Sequence, residues 1–152
     1  MDKPESDDWV RSVLEFWFAE LKPDQWFRKD DALDATIRTR FEPLIARIAA
    51  MPDASLLVDA DTALAAILVL DQFPRNLYRG SAAAFASDPK ALTLAAAAVT
   101  HGLDQGRTVH QRLFLYLPFE HSEDAAVQAR SVDLISALGD SELTRYARAH
   151  KA

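Results

Sequence analysis

Residues 70–80, LDQFPRNLYRG, concentrate an acid, two amides and two arginines around a single proline. Asp71, Arg75 and Arg79 are spaced by four, so they share one face wherever the segment is helical. Guanidinium groups bind carboxylates and phosphates through paired hydrogen bonds, so these arginines are candidates for an anion site. Alternatively, the same side chains and Asn76 tie helix ends together by satisfying exposed backbone groups.

A second polar cluster surrounds the apolar run 113–119, which contains Pro118. Its members are Gln111, Arg112, Glu120, His121, Ser122, Glu123 and Asp124. In an antiparallel helical array this corner and the Pro74 corner could lie at the same end of the molecule, which would bring arginines close to His121. The candidate ligand-binding residues are therefore Arg75, Asn76, Arg79, Gln111, Arg112 and His121.

His121 and Glu123 are the candidates for catalysis, because an imidazole beside carboxylates can act as a general acid or base. Ser122 adjoins His121 but lacks the glycine-flanked turn of serine hydrolases, and it is better placed as a helix cap. No second histidine stands at a helical ligand spacing, so no metal site is predicted. The remaining histidines are scattered at His101, His110 and His150. Phosphate-binding glycine loops and dinucleotide fingerprints are missing, so no cofactor is predicted.

The composition predicts a single all-α domain over residues 1–152. The hydrophobic content of 49% is sufficient for one core, and the chain has only 4 glycines. Alanine and leucine are abundant and β-branched runs are missing, which favours helix over strand. The two polar clusters are therefore unusual in a chain that is otherwise mostly apolar and rich in alanine.

Charge and cysteine content exclude several classes of function. The net charge is -6 and no basic face is recognisable, so nucleic acid is not predicted as a partner. Cysteine is absent, which excludes disulfides and thiolate metal sites and favours a cytoplasmic location. No export signal is recognisable, and the apolar runs fall short of the ~20 residues that span a bilayer, so no membrane association is predicted.

The elements that must position these residues are predicted from apolar spacings of three and four. A first helix is capped by Ser6 and ends near Leu21, and Trp26 and Phe27 then fold back as aromatic core plugs. A second helix covers about residues 33–50 and is kinked or broken at Pro43.

A third helix is predicted to be central, because residues 63–70 are apolar on every side. Asp59 or Asp61 caps this helix, and Pro74 ends it at a corner. Asp88, Thr108 and Ser122 are predicted to cap later helices, and Ser141 is predicted to start the last one. Pro118 is predicted to stop the helix that Thr108 caps. The result is an antiparallel array of about seven helices packed as helical hairpins.

Four stretches carry a family resemblance: VLEFWF, LDQFPRNLYRG, AFASDPKAL and QRLFLYLPFEHSED. They resemble, in order and over nearly the whole chain, a bacterial family catalogued as domain of unknown function 924. The resemblance implies an all-α, tetratricopeptide-like fold and implies no activity. Members of that family continue past a segment like residues 144–150 into a further segment resembling FPHRN, so the resemblance implies that this chain lacks that C-terminal part.

Three hypotheses about function follow. The favoured one is a binding module whose arginine-rich corner, with Arg75, Arg79 and Arg112, holds an acidic peptide or a small anionic molecule. The second is a small-molecule hydrolase or lyase in which His121 and Glu123 perform acid–base chemistry. The third is that the polar motifs are purely structural and that the function lies on a protein-binding surface with exposed tryptophans at positions 9 or 26. The sequence makes no prediction of the oligomeric state.

Overall fold

Helices supply the regular structure of this protein. A computed structural model describes residues 3–139, with side chains described from Trp9 onward. Across that span the chain forms no strand, which confirms the predicted all-α fold. No helix in the described range is both long and apolar enough to cross a membrane. The helix predicted to start at Ser141 lies outside the described residues.

We number the α-helices in chain order and give the bounds of each. They are α1 (Lys3–Glu15), α2 (Asp31–Ala49), α3 (Asp53–Leu56), α4 (Ala60–Ile67), α5 (Phe73–Leu77), α6 (Asp88–Thr100), α7 (Val109–Glu120) and α8 (Ala125–Ser136). A π-helical turn over Phe16–Glu20 extends α1, and another over Leu68–Gln72 joins α4 to α5. Short 3-10 turns cover Pro23–Gln25 and Ala82–Phe85.

Two of the predicted helix caps are present. The Asp59 carboxylate accepts a 2.8 Å hydrogen bond from the Thr62 backbone N–H at the start of α4. Thr108 and Gln111 form a reciprocal capping box at the start of α7, each side chain accepting from the other's backbone N–H at 3.1 Å. These caps satisfy donors that a helix start leaves without partners.

Three predicted caps are wrong. Ser6 lies inside α1, which begins at Lys3, because Pro4 is suited to the first helical turn. Asp88 is the first residue of α6 rather than its cap, since its carboxylate binds Arg75 instead. Ser122 does not cap α8, because Asp124 does so by accepting from the Val127 N–H at 3.0 Å.

The helix α2 is not broken at Pro43, and Pro118 does not stop α7 as expected. The helix α2 continues through Pro43, and both Pro43 and Thr39 are exposed, so the carbonyl that loses its helical donor is open to water. The helix α7 continues through Pro118 to Glu120. Residues 113–120 are all buried, and this burial outweighs the single hydrogen bond that Pro118 removes.

Pro74 also lies within helical structure rather than at a corner between separate helices. The preceding residue, Phe73, has helical angles of φ -60° and ψ -42°, contrary to the usual preference before proline. The π turn ending at Gln72 adds a residue to the helix just before the proline. The Asp71 carbonyl accepts a 2.6 Å hydrogen bond from Arg75 Nη1, so a side chain satisfies this acceptor.

The helix α4 and its π turn form the centre of one hydrophobic core. Residues 63–70 are all fully buried, as their apolar pattern predicts, and α4 packs against α1, α6 and α7. Trp9 and Trp26 are buried, so neither tryptophan offers the exposed surface that the third hypothesis requires. The Trp26 indole N–H donates to the Trp17 carbonyl at 2.9 Å. Phe27, predicted to be buried beside Trp26, is 50% exposed.

Candidate functional site

Asp71 is a buried carboxylate on the π turn between α4 and α5. Only 1% of its surface is exposed. Gln72 Nε2 donates to its Oδ2 at 2.8 Å, and Arg75 Nη1 lies 3.4 Å from its Oδ1. A buried carboxylate needs such donors, because burial without them disfavours the charged form strongly.

His121 is the third partner of this carboxylate. It caps the C-terminus of α7, and its Nδ1 donates to Asp71 Oδ1 at 2.8 Å across fifty residues of sequence. The His121 side chain is 14% exposed. None of the residues in the described range hydrogen-bonds its other ring nitrogen, Nε2. The imidazole is thus held by one nitrogen and available through the other.

The two charges shift each other's pKa. Burial and repulsion from Arg75 both favour the neutral form of His121. The negative charge of Asp71, its hydrogen bond to His121 and the charge of Glu120 outweigh these two effects, so the His121 pKa is raised above 6.5. Burial likewise opposes ionisation of Asp71, yet His121, Arg75 and Gln72 together hold the Asp71 pKa below 3.8. Both shifts favour an imidazolium–carboxylate pair.

Arg75 ties the start of α6 to this pair. Its Nη1 and Nη2 donate to the two oxygens of Asp88 at 2.8 and 2.9 Å, the bidentate geometry that suits a guanidinium and a carboxylate. The guanidinium carbon also lies 5.1 Å from the centre of the Phe85 ring. The Nη1 and Nη2 groups of Arg75 are therefore already engaged by Asp88 and by the Asp71 carbonyl.

Gln72, Arg75, Asp88 and His121 line a cleft of about 920 Å³, here called the His121 cleft. Its lining residues are Phe27, Gln72, Arg75, Phe85, Asp88, Pro89, Leu92, Pro118, Glu120, His121, Ser122, Glu123, Asp124 and Gln128. The Pro74 and Pro118 regions thus lie at the same end of the molecule. The volume falls within the range of about 300–1,000 Å³ that is usual for small-molecule sites.

Arg79 and Asn76 do not line the His121 cleft. Arg79 Nε donates to Asp34 Oδ2 at 2.9 Å, and Asn76 Nδ2 donates to Asp34 Oδ1 at the same distance. Both therefore join the end of α5 to the first turn of α2. The spacing between Arg79 and Asp71 predicted that both lie on one helical face. The helix α5 ends at Leu77, however, so Arg79 lies beyond the helix.

Gln111 and Arg112 also lie away from the cleft lining. Gln111 belongs to the capping box at the start of α7. Arg112 Nε donates to the Tyr116 hydroxyl at 3.2 Å, and that hydroxyl donates to buried Asp104 at 2.5 Å. Burial and the bond to Asp104 raise the Tyr116 pKa above 10.0.

Glu123 and Ser122, by contrast, line the cleft beside His121. The Glu123 side chain is exposed and makes no hydrogen bond or ion pair with any described residue. Ser122 Oγ accepts from the Asp124 backbone N–H at 3.1 Å, which places it in the loop that starts α8. Between Trp9 and Gly139, no group of three or more His, Asp or Glu side chains is arranged to hold a metal ion.

Comparison with known proteins assigns this chain to a family. The model of the family described as "Bacterial protein of unknown function (DUF924)" matches residues 13–152. The chain belongs to the DUF924 family. It is also similar to a solved structure, that of the protein of unknown function ATU0120 from Agrobacterium tumefaciens, with 38% identity and a TM-score of 0.90. That match covers 96% of this chain and 82% of the other. A comparison with functionally curated proteins gave no match.

Several residues in or behind the cleft of this DUF924 protein were not predicted as site residues. Asp71 was predicted only to share a helical face with Arg75 and Arg79, and Asp88 only to cap a helix. Phe27 and Phe85 carried no signal, because an aromatic residue between helices is usually buried. The motif AFASDPKAL contains both Phe85 and Asp88, but its contact with Arg75 depends on how α5 and α6 pack.

Proposed function

We propose that this protein is an enzyme of the hydrolase or lyase type that acts on a small organic molecule in the His121 cleft. His121 is its general acid–base, and Asp71 is the residue that positions and charges it. The observation that carries this proposal is the 2.8 Å bond from His121 Nδ1 to buried Asp71, with Nε2 left open at a cleft. A purely structural histidine would be expected to use both nitrogens.

The chemistry follows from the tautomer that Asp71 selects. A carboxylate at Nδ1 requires the proton there, so Nε2 of the neutral ring carries a lone pair and can accept a proton from a substrate or a water molecule. The imidazolium that forms is stabilised by the Asp71 charge. The raised pKa of His121 makes Nε2 a stronger base than a free imidazole.

The anion-binding hypothesis receives less support. Arg75, the arginine that lines the cleft, already binds Asp88 and the Asp71 carbonyl, and Arg79 and Arg112 bind Asp34 and Tyr116. Adding an anion would mean breaking one of these bonds or repelling neighbouring carboxylates. The structural hypothesis fits the arginines but leaves His121 Nε2 without a role.

Replacing His121 by glutamine tests the proposal. A bacterial metabolite extract is incubated with wild-type protein and with His121→Gln, and untargeted mass spectrometry follows the compounds consumed. At least one compound should be consumed by wild type at a rate at least about a hundredfold above that of the variant, since general acid–base groups contribute about 10²–10⁴-fold.

The matched control is His101→Gln, since His101 is exposed and lies outside the lining of the cleft. This control should keep wild-type activity. Identical consumption profiles for wild-type protein and His121→Gln would overturn the proposal.

A further inference from the structure

We infer that the His121 cleft selects a positively charged organic molecule with an apolar body, such as an amine carrying an aromatic or aliphatic group. This inference rests on the proposed function and specifies its substrate class. It depends on two features of the lining that the acid–base argument does not use: its excess of carboxylates and its exposed aromatic rings.

The charge of the lining favours a cation. Among the described residues that line the cleft, the carboxylates are Asp88, Glu120, Glu123 and Asp124, against the guanidinium of Arg75 and the imidazolium of His121, which is paired with Asp71 behind the lining. Asp88 neutralises Arg75, and Asp124 is used as the cap of α8. Glu123 is exposed and has no partner in the described part of the chain. A ligand ammonium group near Glu123 would gain an ion pair, whereas a carboxylate there would be repelled.

The apolar part of the lining favours an aromatic or aliphatic body. The large apolar side chains exposed in the described residues are Phe27, Val58, Phe85 and Val109. Both aromatic ones line the cleft, with Phe27 50% and Phe85 55% exposed. Leu92, Pro89 and Pro118 extend this surface. Grouped exposed apolar side chains mark binding sites, and phenyl rings also attract organic cations.

The two aromatic rings are held in place by their neighbours. Phe27 stacks on buried Phe114, with ring centres 5.7 Å apart and planes inclined by 17°. The Phe85 ring lies against the guanidinium of Arg75, which is itself fixed by Asp88. A binding surface that is ordered before the ligand arrives loses less entropy on binding.

Three probes of one shape and different charge test the inference. Benzylamine, benzyl alcohol and benzoate are titrated into the ¹⁵N-labelled full chain, and amide shifts in segments 85–92 and 118–128 are followed by NMR. Benzylamine should bind at this cleft about tenfold more tightly than benzyl alcohol, and benzoate should bind least.

Substitutions at two exposed positions of the cleft test which side chains cause this preference. Glu123→Gln should reduce the affinity for benzylamine to that for benzyl alcohol, whereas Glu15→Gln, at an exposed carboxylate outside the cleft lining, should leave it unchanged. Phe85→Ala should weaken both benzylamine and benzyl alcohol, with Val58→Ala as its control.

The outcomes separate this inference from the proposed function. Tighter binding of benzoate, an equal affinity for all three probes, or no shift of cleft resonances with benzylamine would overturn the cation preference. A benzylamine preference that survives Glu123→Gln would overturn the assignment of Glu123 as its source. None of these results alters the His121-dependent consumption of a metabolite, which stands or falls in the extract experiment.

Discussion

Replacing Asp71 by alanine should lower the free energy of unfolding by about 3–5 kcal/mol, because it leaves two buried or half-buried cations without their shared carboxylate. Arg75 keeps Asp88, but His121 loses the partner of its Nδ1. The measurement is urea unfolding followed by circular dichroism, with the transition midpoint and slope compared between the two proteins.

The loss should depend on pH in a defined way. The Asp71 pKa is lowered, so its stabilisation is present above its unfolded value of 3.8 and is lost as the pH falls through the folded pKa. The His121 pKa is raised, so its stabilisation is complete below 6.5 and is lost as the pH rises through the folded pKa. The difference between wild type and Asp71→Ala should therefore be largest between about pH 4 and 6.

Asp53→Ala is the matched control for this prediction. Asp53 forms an ion pair with Lys90 at 2.8 Å, but its side chain is 43% exposed, so its loss should cost about 1 kcal/mol or less. If Asp71→Ala were no more destabilising than Asp53→Ala across this pH range, Asp71 would not be the charged centre described above.

Phe73→Ala should destabilise the protein by a similar amount, about 3–5 kcal/mol, through a cavity in the core. The Phe73 ring is fully buried and contacts Phe16, Trp17 and Phe41, with centre-to-centre distances of 6.4, 5.9 and 5.1 Å. These rings belong to α1 with its π turn, and to α2, so little of the cavity can be filled by a small local shift.

Phe85→Ala provides the comparison, because Phe85 is mostly exposed and its loss should change the free energy of unfolding by about 0.5 kcal/mol or less. Denaturant midpoints of both variants, measured with the slope unchanged, give the two free energies. Similar small losses at both positions would contradict the placement of Phe73 between α1 and α2.

The helices could be predicted from the sequence because their signals are local. Apolar spacing identified the buried centre at residues 63–70, and the caps Asp59 and Thr108 were recognised from residue type and position. The prolines could not be interpreted in the same way. Pro74 is accommodated by a π turn, and Pro118 by the burial of its helix, so both outcomes depend on tertiary context.

The candidate site could be predicted in part. The idea of two polar corners at one end of the molecule brought Arg75, His121 and Glu123 together, as the cleft does. Arg79 and Arg112 were misplaced because their partners, Asp34 and Tyr116, were not recognised. Like the bond between Asp71 and His121, the contact of Arg79 joins residues more than forty positions apart, and spacing within one helix carries no information about such pairs.

The most direct test of the central claim is an NMR titration of His121 in the ¹⁵N-labelled protein, comparing wild type with Asp71→Asn and with Asp53→Asn as control. In wild type the His121 pKa should lie above 6.5, and the neutral ring should carry its proton on Nδ1. Asp71→Asn should lower that pKa, whereas Asp53→Asn should leave it unchanged. A wild-type pKa at or below 6.5, a proton on Nε2, or no response to Asp71→Asn would contradict the assignment of His121 as an acid–base group held by Asp71.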